Sequence, residues 1–388
     1  MARVVTGLER LLERPEPVRG LRVGLVVNPA SITGGFVHAS LALGDRRGVR
    51  LVALFGPEHG IAADAQDLVE VGHSRDRATG LPVHSLYGET RVPTRTMLGD
   101  VDAMVFDVQD VGSRYYTFVY TMLHVMQACA RERKRVVVLD RPNPLGGDEV
   151  EGNRLDPEYR SFVGMHTLVV RHGMTTGELA LLFREELALE LDLHVVPMKG
   201  WRRRMHFEDT GLPWVLPSPN MPTVDTAFVY PGGCLIEGTN LSEGRGTTRP
   251  FELVGAPWLD GVALARALER ERLPGVRFRP VAFTPTFQKH AGLPCQGVQL
   301  HVTDRGRFTA FLTYLLLIHH ARRQDPVRFA WRDPPYEYEY VKRPIDILCG
   351  TDRVREAIEH GRSPKRLAGG FRKDAAAFRK RRRKYLLY

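Results

Sequence analysis

Four short apolar runs organise the first half of the chain: LRVGLVVNPA, VRLVALFGPEHG, VDAMVFDVQDVG and KRVVVLDRPNP. Each is rich in β-branched residues and breaks off at Gly, Pro, Asn or Asp, the pattern of a parallel strand buried on both faces and followed by a loop. Between the last two, TFVYTMLHVMQACARERK repeats Phe118, Met122, Val125, Met126 and Cys129 at helical spacing, which predicts a crossover helix. RHGMTTGELALLFREELAL predicts another helix, started by Thr175 or Thr176 with Glu178 in its first turn, and LHVVPMKGW a further strand. The opening MARVVTGLERLLERPEPVRG reads as a short amphipathic helix stopped by Pro15 and Pro17.

From about Pro217 the texture changes to Pro- and Gly-rich loops, with helices at VALARALERERL and FTAFLTYLLLIHHARR around a strand at GVQLHVTD. The fold expected is α/β: a Rossmann-like, doubly wound, mostly parallel sheet over residues 1–228 and a smaller α/β domain over 229–388, divided near Val229. At 388 residues the chain is long enough for two such domains.

Charge adds one feature. Of the formal net charge of +10, +7 falls in the last eighteen residues, FRKDAAAFRKRRRKYLLY. Phe371 and Phe378, seven apart, make this a helix with one docked face and one solvated basic face, so no nucleic-acid partner is expected. No apolar run approaches the roughly 18 residues of a membrane span. The N-terminus lacks a secretory signal pattern, and Cys129, Cys234, Cys295 and Cys349 form no CxxC pair. Free thiols, no structural metal and a cytoplasmic setting follow as expectations.

The strand ends carry the polar residues. Asn28, Glu58, His59, Asp107, Asp110, Arg114, Asp140, Arg141 and Asn143 all follow a predicted strand, where ligands sit in open α/β sheets. The turn after the first strand is NPASITGGF, not GxGxxG, and no Walker lysine motif occurs, which demotes nicotinamide binding. No GxSxG elbow exists; GHSRD at Gly72 is the nearest approach. Carboxylates remain. Glu58, between Pro57 and Gly60, is placed as a general acid projects from a strand end, and Glu151 in VEGN is a second candidate. Arg171 in RHGMT serves equally as a ligand contact or a helix-start ion pair.

With these segments assembled the chain resembles one family from end to end. GPEHG, TGLPVHSLYG, FDVQDVGSRYYT, LDRPNPLGG, RHGMTTGELA, LPWVLPSPNMPT, EGTNLSEGRGTTRPFE, GAPW, PPYEYE and the closing YLLY look like a family long catalogued as a domain of unknown function, now associated with exo-β-N-acetylmuramidases of the NamZ type. The resemblance implies a Rossmann-like domain, a smaller C-terminal domain, a cleft between them, and release of terminal N-acetylmuramic acid from peptidoglycan fragments, with a muramyl glycan as substrate and no cofactor. Glu237, Asn240 and Glu243 would then meet sugar polar groups and Arg245 the lactyl carboxylate, with Tyr116 and Asn220 as further binding candidates. Internal Glu to Arg pairing is the competing role for that stretch. Glycosidases usually use two carboxyl groups; Glu58 is the expected acid, and Glu243, Glu237, Asp110 and Glu151 all stay open as its catalytic partner. Retention, inversion and substrate assistance all stay open, as do a non-catalytic sugar sensor and an NAD-dependent sugar enzyme on the same scaffold.

Overall fold

The computed structural model describes residues 3–61 and 74–388, so Gly72 and His73 of the GHSRD segment lie outside it. Along the chain come β1 (Arg22–Val27), β2 (Arg50–Gly56), β3 (Ser74–Arg75), β4 (Pro82–Ser85), β5 (Ala103–Asp107), β6 (Arg135–Leu139), a hairpin of β7 (Glu151–Arg154) and β8 (Val169–Arg171), and β9 (Leu193–Val196). The main sheet has the order β3-β4-β2-β1-β5-β6-β9, every pair parallel except the short edge strand β3. Counting only the parallel strands, this is the 3-2-1-4-5-6 order of the doubly wound dinucleotide-binding sheet. The four apolar runs of the first half are all strands, buried over most of their length.

Helices cover the sheet: α1 (Gly7–Glu13), α2 (Ala39–Gly44), α3 (Phe118–Arg131) and α4 (Thr176–Glu186). Local chemistry starts them where expected. Thr6 and Glu9 form a reciprocal capping box on α1, and Thr175 and Glu178 form one on α4. α1 also needs its first residue small, because a Cβ on Gly7 would sit 2.3 Å from the Asp140 nitrogen.

The second half begins with α5 (Val224–Gly233) and holds a three-stranded antiparallel sheet of β10 (Leu253–Ala256), β11 (Val276–Phe283) and β12 (Cys295–Val302), ordered β10-β12-β11. Around it lie α6 (Gly261–Arg270), α7 (Ala310–Gln324), α8 (Pro344–Cys349), α9 (Arg353–Glu359) and α10 (Ala368–Arg382). The expected division near Val229 falls inside α5. One apolar cluster runs through both halves, including Phe106, Tyr115, Phe228, Phe251 and Phe311. No helix among the described residues is long and apolar enough to cross a membrane.

The C-terminal helix returns to the first half, α10 packing on β7. Its basic face is less solvated than expected. Arg382 is buried and donates to the carbonyls of His172 and Gly147 at 2.9 and 2.7 Å, and Arg381 pairs with Glu186. The last residue also docks: the Tyr388 hydroxyl donates to Asp140 and accepts from the Met198 N–H, both at 2.7 Å.

Candidate active site

In this sheet type a ligand is expected where the strand order reverses, between β1 and β5. That crevice is filled. Arg141 donates from Nε and Nη2 to the two oxygens of Asp107 at 2.6 and 2.8 Å, with both side chains buried. Asn28 accepts from Ser31 at 3.2 Å and donates to the Pro217 carbonyl at 3.3 Å. The remaining space beside Arg141 and Trp214 is about 10 Å³. Asn28, Asp107 and Arg141 therefore tie loops together; buried charge of this kind is stable only when paired.

The polar cavity lies at the end of β2. The turn Pro57 to Gly60 closes with a 2.9 Å backbone bond, His59 takes a left-handed φ of 70°, and Glu58 turns inward to 7% exposure. Its Oε2 accepts from the Thr117 hydroxyl at 2.5 Å. Thr117 is the N-cap of α3, yet its side chain makes no bond to that helix. The loop before α3 adds Tyr115 and Tyr116, the latter donating to Ser218 at 2.9 Å, and the segment after Pro217 adds Asn220. The second half contributes Tyr230, Glu237, Arg245, Phe251, Tyr336 and Glu337. The cavity measures about 50 Å³.

Glu237 has both oxygens engaged: Oε1 accepts from Arg245 Nη2 and Oε2 from the Tyr336 hydroxyl, each at 2.7 Å. Glu243 is buried but does not line the cavity. It pairs with Lys289 Nζ at 2.7 Å and with Arg245 Nε at 3.5 Å, while Lys289 also donates to the Ile236 and Thr239 carbonyls. The glycines permit this folding: Gly246 has φ of 77°, and a Cβ there would meet the Phe287 nitrogen at 2.6 Å. Asn240 stands aside, its side chain donating to the Arg328 carbonyl and accepting from the Ala330 N–H.

The other expected site residues do not line this cavity. Arg114 follows Asp110 through a loop, and its fully buried guanidinium donates to four carbonyls, of Asn153, Leu168, Leu348 and Cys349. Asp110 accepts from the Gly112 N–H at 2.7 Å, and burial pushes its carboxyl up to about 7. Asp140 accepts from Thr175 and Gly177 at the start of α4, and Asn143 accepts from the Leu145 N–H in its own loop and donates to the Met174 carbonyl in the segment before α4. Glu151 and Arg171 line a different cavity of about 350 Å³ under α10. There Glu151 accepts from the Leu312 N–H at the start of α7, and burial pushes it up to about 7.

The model of the N-terminal part of the exo-β-N-acetylmuramidase NamZ matches residues 23–225, and that of its C-terminal part residues 228–388. The chain belongs to the NamZ family. It is 47% identical to the peptidoglycan β-N-acetylmuramidase NamZ of Bacillus subtilis strain 168, over the whole of this chain and 92% of that one. Two crystal structures of DUF1343 family proteins from Bacteroides fragilis NCTC 9343 superpose with TM-scores of 0.90 and 0.79, at 36% and 29% identity, each over all of this chain and 100% and 99% of theirs. NamZ membership makes the protein a glycosidase and agrees with the α/β architecture.

Two cavity residues, Tyr336 and Glu337, are absent from the candidates drawn from the sequence of this NamZ member, although PPYEYE contains both. No turn signal marks that stretch, because Glu-Tyr is not a pair that hairpin turns favour. Tyr336 and Glu339 exchange two backbone bonds of 2.9 Å, and Glu337 and Tyr338 between them have φ of 45° and 64°. A two-residue hairpin turn with both φ positive prefers Asn-Gly. Holding Glu and Tyr there costs about 1–3 kcal/mol each, strain of the kind that collects at functional sites.

Proposed function

We propose that the protein hydrolyses the β-glycosidic bond of a terminal, non-reducing N-acetylmuramic acid in peptidoglycan fragments, and that it does so in the cavity around Glu58. The observation carrying this reading is the convergence in one buried cavity of Glu58, from the end of β2, with Glu237 and Arg245 from the second half. Glu58 acts as the general acid, giving its proton to the leaving oxygen. The Thr117 hydroxyl fixes one of its oxygens. Arg245 presents its guanidinium to the lactyl carboxylate while Glu237 holds it in place, and Asn220, Tyr116 and Tyr336 meet the sugar's hydroxyl and acetamido groups. A cytoplasmic setting belongs to the same proposal, supported by the four cysteines all being buried free thiols, and so does a part in cell-wall recycling, supported by the peptidoglycan activity of the Bacillus subtilis relative.

The Glu58→Gln variant tests the site. It should lose at least a hundredfold in kcat on N-acetylmuramyl-β-1,4-N-acetylglucosamine while still binding N-acetylmuramic acid. Full activity of Glu58→Gln would remove this cavity from the reaction, and a wild-type protein that binds the disaccharide without releasing sugar would make it a sensor.

A further inference from the structure

Of the carboxylates weighed from sequence as the partner of Glu58, Glu237 alone is among the described residues lining its cavity. Glu237 is held by Arg245 and Tyr336, and Glu243 by Lys289 and Arg245. Asp110 takes the Gly112 N–H away from the cavity, and Glu151 faces another cavity from the start of α7. The described lining of the Glu58 cavity holds one more acid, Glu337. It comes from the opposite half of the chain, is only 7% exposed, and accepts from the Tyr87 hydroxyl through Oε2 at 3.4 Å. Tyr87 senses both acids: after burial, the negative charges of Glu58 and then Glu337 are the largest causes pushing its phenol far above the usual range. Both carboxyl groups thus lie near one phenol as well as in one cavity.

The strained turn supplies an independent reason. Glu337 and Tyr338 occupy the two left-handed positions where glycine or asparagine is favoured. The neighbouring Tyr338 ring is packed among Tyr87, Phe162 and the Arg91 guanidinium, the last 3.7 Å from its centre. The turn is thereby clamped in the geometry that directs Glu337 to the cavity.

We propose that Glu337 is the second catalytic carboxylate, ionised and directed at the anomeric carbon, with Glu58 as its acid partner; this rests on the reading of the cavity as the muramidase site. In the reaction the bond from C1 to the leaving oxygen breaks, its electron pair going to that oxygen together with the proton of Glu58. The positive charge that develops at C1 faces the Glu337 carboxylate. A water oxygen supplies the electron pair that C1 has lost, and one water proton passes to the carboxyl pair, replacing the proton Glu58 gave up.

Two substrates separate the roles: N-acetylmuramyl-β-1,4-N-acetylglucosamine, whose leaving group needs a proton, and 2,4-dinitrophenyl β-N-acetylmuramide, whose leaving group does not. Glu337→Gln should lower kcat on both by about a hundredfold or more with little change in KM, whereas Glu58→Gln should be far more impaired on the disaccharide than on the dinitrophenyl glycoside. N-acetylmuramic acid binding, measured by calorimetry, should stay within about threefold of wild type in Glu337→Gln, which shows the turn intact. Glu337→Asp, which keeps the charge but shortens the reach, should fall between wild type and Glu337→Gln. If Glu58→Gln is inactive on the disaccharide and Glu337→Gln keeps more than a tenth of wild-type kcat, the assignment of Glu337 is overturned and the cavity stands. If both variants are active, the cavity itself is wrong. Equal loss of kcat and of sugar binding in Glu337→Gln would make it a structural residue and overturn its catalytic role.

Discussion

Thr117 sits at the N-cap of α3, where a threonine hydroxyl ordinarily satisfies a helix N–H and is worth about 0.5–2 kcal/mol. Here that hydroxyl bonds Glu58, so part of the helix's own stability is given up to fix an acid. Thr117→Val keeps the shape and removes the donor. It should lower kcat on the disaccharide up to about tenfold with KM little changed, since a hydrogen bond of this kind is worth about 0.5–1.5 kcal/mol. Asp110 behaves differently. Its carboxyl is raised from the ordinary 3.8 to about 7 by burial, so the folded chain holds this proton more tightly than the unfolded chain does. The stability contributed is full below about pH 4, falls as pH rises through 7, and is flat above it. Asp110→Asn, compared with wild type by urea unfolding between pH 5 and 7, should reduce the loss of stability by about 1 kcal/mol per pH unit. Sequence reasoning placed both Asp110 and Glu58 at strand ends. Nothing in the sequence tells which one turns into a cavity and which into the interior, because that depends on chains arriving from beyond residue 217.

At the level of elements, strands buried on both faces and capped helices were legible because each carries its own local signature. α5 and β11 did not. α5 contains Pro231 and ends in Gly232 and Gly233, loop signals in isolation, yet a Cβ on Gly232 would lie 2.2 Å from the Ala310 carbonyl, so the glycine serves the close approach of α5 to α7. β11 includes Pro280 and alternates with arginines, which suits an edge strand of its sheet and hides the pattern. Tertiary contact also decides the start of α7. Thr309 makes no side-chain cap there, and Glu151 of β7 accepts from the helix in its place. Glu151→Ala should therefore cost about 1 kcal/mol of stability in chemical unfolding and leave kcat within about twofold of wild type. A large loss of kcat with unchanged stability would return Glu151 to the catalytic candidates.

For the whole molecule, strand order alone directs attention to the crevice between β1 and β5, and the Arg141 to Asp107 pair fills it. The proposed site has moved out to the end of β2, where the second half can reach it through Glu237, Arg245, Tyr336 and Glu337. A competing location exists in the larger cavity of about 350 Å³ under α10, lined by Glu151, Arg171 and Phe371. Volume favours that one; the meeting of acids from both halves favours the cavity at Glu58. A crystal of the Glu58→Gln protein soaked with N-acetylmuramyl-β-1,4-N-acetylglucosamine decides between them. The account predicts the muramyl ring between Gln at position 58 and Glu337, with its lactyl carboxylate on Arg245. Sugar density under α10 against Glu151 and Arg171, with the Glu58 cavity empty, would contradict it.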